Sequence, residues 1–181
     1  MTNKSLPSVE SLRESLSYDP DSGLLTWKER PREMFASEAI HRSWNTRRAG
    51  TPALNHMNHN GYLVGLFMGK GIRAHRAAWA IHYGEWPKDQ IDHVNGIKTD
   101  NRISNLREAS QSENKRNTRT YSNNKCGLKG VHWHKINKAW VARIGYMGRQ
   151  ISLGKFETAE DAHQAYCEAA KFYHGEFART K

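Results

Sequence analysis

Cysteine is almost missing from this sequence: its 181 residues hold two, Cys126 and Cys167, far apart and in no CxxC pair. That excludes a disulfide framework and leaves no ligand set for a structural zinc. A reducing compartment suits such a chain. Long apolar runs are missing too. Nothing approaches the roughly 20 residues that cross a bilayer. The N-terminus lacks a charged start followed by an apolar core. A soluble, cytoplasmic protein with no membrane partner is therefore expected. With 37% apolar residues and a mean hydropathy of -0.86, there is room for modest cores only.

Acid is the third absence. Residues 115–155 contain ten Lys or Arg and no Asp or Glu, which by itself matches the formal net charge of +10. Each cation laid on a phosphate releases condensed counterions, so a basic stretch interleaved with Trp, Tyr and His points to a nucleic acid. A solvated basic face is the blander alternative. Anionic lipid is a weaker one, because nothing here reads as a basic amphipathic helix.

What is present organises into two regions. Residues 9–16 suit a short helix, and YDPDSG at 18–23 is dense in turn formers before the strand-like LLTW. Residues 28–60 read as irregular and polar, with no assignable chemistry. GYLVGLF at 61–67, the turn MGKG and the short run IRA predict a hairpin leading into a helix over 75–83, stopped by Gly84 and Pro87. The polar, basic, aliphatic-poor KRNTRTYSNNKCGL at 115–128 is the candidate linker. The resulting division is an N-terminal extension at 1–60, a core at 61–117, a linker at 118–128 and a small module at 129–181.

The residues that carry chemistry lie in the core. Asp92 and His93 end a strand-like run, a series through Asn101, Asn105 and Arg107 follows, and Ser112, Glu113 and Asn114 close it. A carboxylate oxygen for a hard cation beside an imidazole that can activate water is what phosphodiester hydrolysis requires. An amide oxygen such as that of Asn114 is a further hard ligand, which favours magnesium, or manganese, over zinc. His75 opens an apolar helix, which more often means a packed, hydrogen-bonded side chain than a chemical one. Arg73, Arg76 and Arg107 suit phosphate contacts, with solvated surface arginines as the rival reading.

Here the chain resembles the HNH endonucleases, specifically the phage branch whose third motif residue is Asn rather than His. The resemblance covers about residues 61–117 and rests on AHRAAW, DHVNG, DNRISNLR and SENKRN in that order. It implies an α+β fold with a ββα-metal nuclease unit around one divalent ion, magnesium first and manganese also compatible. It further implies His93 as general base, Asp92 and Asn114 as metal ligands, and Asn105 as the residue orienting the loop that carries His93. Asn101 competes for that middle role. It reads as a turn cap with Asp100, and the family spacing favours Asn105. The segment YDPDSGLLTW is also similar to the N-termini of such phage proteins, and carries no motif that its residues explain.

Beyond the linker, alternation predicts a three-stranded antiparallel sheet. Val131, Trp133, Trp140, Ala142, Ile144, Ile151 and Leu153 share the inner face, while His132, His134, Val141, Arg143, Gln150 and Ser152 share the outer one. Thr158 opens a capping box for a helix whose alanines allow close packing on the sheet. Residues 121–181 are similar to AP2 domains, a family that lays its sheet in the DNA major groove. The resemblance implies contacts from Lys129, His132, His134, Lys138, Arg143, Gln150, Ser152 and Lys155. The linker cations Lys115, Arg116 and Arg119 are further candidates for the phosphate backbone. His132, His134 and Ile136 stand where arginines and a Trp are usual, so no recognition sequence transfers.

Together these readings predict a metal-dependent endonuclease on double-stranded DNA. It would be site-preferring and of the homing type, with no obligatory protein partner, and would work in the cytoplasm of the bacterial host if phage-encoded. The rivals are a catalytically silent DNA-binding regulator, or a less selective phage nuclease in packaging or host DNA degradation.

Overall fold

A computed structural model describes residues 6–116, 124, 126–178 and 180. The fold is α+β and divides into two compact units at Glu108/Ala109. The predicted linker, Arg119 included, falls largely outside the described residues.

The first unit opens with α1 (Val9–Ser15), whose Ser8 cap accepts from the Ser11 backbone N–H. The chain passes straight into β1 (Leu16–Tyr18), antiparallel to β2 (Leu25–Trp27) with Leu16 opposite Trp27. The strands β3 (His56–Met57), β4 (Leu63–Phe67) and β5 (Lys70–Arg73) form a second antiparallel sheet. From there α3 (Ala74–Tyr83) runs to Gly84, which adopts φ +85° and ends it. The pair β6 (Gln90–His93) and β7 (Leu106–Ala109) completes the unit.

One core joins these pieces. Leu12 and Leu16 pack with Leu25, Leu54, Phe67 and Ile72 and with the alanines of α3. The N-terminal residues are thus part of the same core as the hairpin at 63–73. A smaller cluster of Ala78, Ile91 and Leu106 seats β6 and β7 against α3.

Residues 28–60 are not irregular throughout, which corrects the expectation from sequence. They contain α2 (Glu38–Arg48), capped by Ser37, which accepts from the Ile40 N–H, with Glu38 paired to Arg42 one turn on. None of its residues is buried, so it lacks the apolar stripe by which amphipathic helices are recognised. Its signals were the serine cap, the acid in the first turn and the arginines in the last, all matching the helix dipole.

The second unit begins with α4 (Gln111–Arg116), where Ser110 and Glu113 cap each other reciprocally. Its sheet has the order β10 (Arg149–Phe156), β9 (Ala139–Tyr146), β8 (Val131–His134), all antiparallel. Over it lies α5 (Ala159–His174), capped by Thr158, whose Oγ accepts from the Asp161 N–H. Ala162, Tyr166 and Ala170 on the helix meet Val131, Ala142 and Ile144 on the sheet.

Candidate active site and nucleic-acid interface

Strand β6 delivers Asp92 and His93 side by side, both buried. Pairing with β7 brings Arg107 alongside, and it donates from Nε (3.0 Å) and Nη2 (2.8 Å) to Asp92 Oδ2. Arg107 is therefore the charge partner of the acid within this unit, where the sequence offered it as a phosphate clamp. Arg76 is likewise engaged, donating to the carbonyls of Pro87 and Asp89. Arg73 is exposed, with its guanidinium 5.2 Å from the Tyr62 ring centroid.

The loop after His93 is tied at both ends by Asn105. Its Oδ1 accepts from the Asn95 N–H (2.9 Å), its Nδ2 donates to the Asp100 carbonyl (2.8 Å), and its own carbonyl accepts from the Val94 N–H. Asp100 takes two hydrogen bonds from the Arg102 guanidinium, and that pairing holds its carboxyl down at about 2. Between them Asn101, 2% exposed, places Oδ1 3.1 Å from His93 Nε2. The two asparagines that compete in the sequence therefore do different things. Asn105 clasps the loop, and Asn101 holds the imidazole.

The His93 ring meets His75 edge-on at 5.1 Å and Tyr62 at 6.0 Å. Burial, opposed in part by the Asn101 hydrogen bond and the Asp92 charge, lowers the His93 pKa, which favours the neutral imidazole a base must start from. His75 is driven further, to about 3, by burial and by the neighbouring His93 and arginines. It is a packed neutral ring, as the sequence reading has it, but its Nδ1 is buried without a hydrogen-bond partner among the described residues. Tyr62 carries no sequence signal of function, yet its ring gathers Arg73 and also Lys98, whose Nζ lies 4.8 Å away. Two cations thus flank the side of the unit where His93 lies.

As for a metal, no three His, Cys, Asp or Glu side chains converge among the described residues. Among the described residues Asp92 is the one buried carboxylate, and the other buried polar side chains of that region are His93, Asn101 and Asn105. An ion that keeps much of its water and takes phosphate oxygen fits so sparse a set. Asn114 belongs by its contacts to the second unit.

In that second unit the outer sheet face brings together most of the expected DNA contacts. His132 lies opposite Val141, Arg143 opposite Ser152, and Gly145 opposite Gln150. A bulge between Ser152 and Gly154 then shifts the register by one, so that Lys155 pairs with Val141. Strict alternation would turn Lys155 inward with Ile151 and Leu153; the bulge returns it to the outer face. Lys138 occupies the β8–β9 turn at φ +45°. His134 accepts from the Asn137 N–H, and burial together with Arg143 lowers the His132 pKa. Trp133, expected inside, is 45% exposed and stands edge-on to Trp140. Lys129 lies two residues before β8, while Lys115 and Arg116 lie at the end of α4.

The fold and this asparagine-lined imidazole beside a paired acid define an HNH nuclease unit followed by a separate sheet-and-helix module. The HNH endonuclease family model matches residues 73–116, and the AP2 domain model matches residues 126–176. Protein 3.8 of Escherichia phage T7 is 32% identical over 113 residues, covering 62% of this chain and 93% of that protein. The chain belongs to the HNH endonuclease family and carries an AP2 domain. A solved structure described as "DNA binding and cleavage by the HNH homing endonuclease I-HmuI" aligns with a TM-score of 0.39 at 19% identity, over 90% of this chain and 81% of that one. No helix among the described residues is long and apolar enough to cross a membrane.

Proposed function

We propose that this protein hydrolyses phosphodiester bonds of double-stranded DNA, with His93 as general base. The observation that carries the reading is the buried His93 ring, held through Nε2 by Asn101 and set beside Asp92. The imidazole accepts the proton of the attacking water as the new P–O bond forms and the ester P–O bond breaks. Arg73 and Lys98 draw the phosphate toward Tyr62 and His93. Asp92 and Asn114 would hold one divalent ion, magnesium first and manganese also suitable, which would supply positive charge for phosphodiester hydrolysis. That pairing of ligands rests on the order of the motif residues.

The AP2 domain is the anchor. Its outer face, with His132, Arg143, Gln150, Ser152 and Lys155, is suited to the major groove. Lys129, Lys138 and His134 serve at its edges. Anchoring and cutting in one chain make a site-preferring enzyme of the homing type, and one catalytic unit per chain makes nicking its elementary act.

The test is cleavage of supercoiled genomic-fragment plasmids in magnesium by the wild type and by His93→Ala, with strand-resolved mapping of the cuts. Nicking by the wild type at recurrent positions, lost in His93→Ala at unchanged DNA affinity, is the expected result. Equal cleavage by both proteins overturns the role of His93. Binding without cleavage under every divalent ion favours a silent regulator, and scattered cuts across a whole genome favour a degradative nuclease.

A further inference from the structure

The motif at residues 18–23 acquires a purpose from the contacts it makes. The β1–β2 turn is built around Asp19, whose carboxylate accepts from the Asp21 N–H and the Ser22 hydroxyl. So shaped, it presses on the segment that follows the His93 loop. The Tyr18 hydroxyl donates to the Asn101 carbonyl at 2.8 Å, and the Pro20 carbonyl accepts from the Ile103 N–H at 3.1 Å. Gly23, at φ +75°, approaches so closely that a Cβ there would lie 2.5 Å from Asn101 C and Arg102 N. No side chain fits, and the φ itself disfavours one.

Asn101 is therefore gripped on its backbone by the hairpin while its side chain holds His93. An amide oxygen only accepts hydrogen bonds, so the contact with Asn101 Oδ1 requires the proton on His93 Nε2. The lone pair of the neutral ring then belongs to Nδ1. The partner of one imidazole nitrogen sets the chemistry of the other, and a base in the wrong tautomer is inactive however well it is placed.

We propose that the N-terminal β1–β2 hairpin is a positioning element of the active site: through Tyr18, Pro20 and Gly23 it fixes Asn101, and Asn101 fixes His93 in the Nε2-protonated tautomer. Asn101 and Tyr18 are positioning residues and touch no substrate. The value of this arrangement for catalysis rests on the reading of His93 as general base. The tautomer itself does not.

The rival account is that the hairpin only completes the hydrophobic core through Leu16 and Leu25. The two separate by experiment on the full-length protein. In wild-type protein labelled with 15N-histidine, long-range 1H–15N correlations at neutral pH, with the His93 signals identified by their loss in His93→Ala, are expected to show a protonated Nε2. Asn101→Leu keeps the number and branching of the side-chain heavy atoms and removes the acceptor. It should give a mixed or inverted tautomer and a kcat lower by roughly 100-fold at unchanged KM. Asn101→Asp keeps an acceptor and should retain the wild-type tautomer. Tyr18→Phe removes one hydroxyl without a cavity and should lower kcat by a few-fold at unchanged melting temperature, a safeguard should Asn101→Leu fold poorly. Wild-type tautomer and kcat in both Asn101→Leu and Tyr18→Phe overturn the proposal. A wild type that cuts no DNA while the tautomer responds as stated overturns the nuclease reading alone.

Discussion

Arg107 spends two of its donors on a single oxygen of Asp92, at 3.0 and 2.8 Å, with side-chain exposures of only 14% and 6%. A carboxylate that shielded is stabilised chiefly by its partner, and removing one member of such a pair leaves a charge in a poor dielectric. Arg107→Met is therefore expected to lower unfolding stability by about 3 kcal/mol. If Asp92 is a metal ligand, millimolar magnesium should restore part of that loss and should raise the stability of Asp92→Asn much less. Urea unfolding of the three proteins, with and without magnesium, measures both. Equal magnesium responses in all three would remove Asp92 from the ligand set.

His75 makes folding sensitive to acid. Its ring is 2% exposed and its pKa is pushed down to about 3, whereas in the unfolded chain it is near 6.5. Between those values the unfolded state binds a proton that the folded state does not, so stability falls as the pH falls. It is fully present above pH 6.5 and declines by about 1.4 kcal/mol per unit toward pH 3 on account of this one group. His75→Phe should flatten that part of the stability curve. Denaturant titrations at pH 7, 6, 5 and 4 test it, and an unchanged slope in the variant would place the acid sensitivity elsewhere.

Asp92, His93 and Asn105 are legible from the sequence through its resemblance to the HNH endonucleases, and all three are buried in the first unit. Likewise, a glycine-turn hairpin followed by an alanine-rich apolar run has few competing folds. Two of the parts that escape reading share one cause, which is that their partners are remote in the chain. Nothing local to Tyr18 announces a hydrogen bond to Asn101, eighty-three positions away. Arg107 looks like a surface cation until strand pairing sets it on Asp92, fifteen positions back. The helix α2 escapes for a different reason, since none of its residues is buried and its half-buried face, His41, Trp44 and Asn45, is mostly polar.

The core that holds the hairpin at its place is itself testable. Phe67 is completely buried and stacks on Trp27 at 6.2 Å between ring centroids. Phe67→Ala removes that contact and leaves a cavity between β2 and β4, with an expected loss of about 3–5 kcal/mol. Phe67→Leu should lose much less. Calorimetric melting of both variants decides, and near-equal losses would mean that the site collapses around the missing ring.

The bulge in β10 makes the sharpest claim about the DNA interface. Because the register shifts between Ser152 and Gly154, Lys155 pairs with Val141 on the face that carries Arg143 and Ser152. If that face meets the phosphates, Lys155→Ala should weaken binding to cognate and random duplexes alike and reduce the slope of log K against log salt by about one. Arg143→Ala, if it reaches a base edge, should cost about 1–3 kcal/mol on the cognate duplex and much less on random DNA. Gly154 adopts φ +132°, so Gly154→Val should strain the bulge and reproduce the Lys155→Ala salt slope although the lysine is still present. Fluorescence anisotropy over a salt series separates these outcomes. A full wild-type slope in Gly154→Val would show that Lys155 reaches the phosphates without the bulge, and that the register shift serves packing alone.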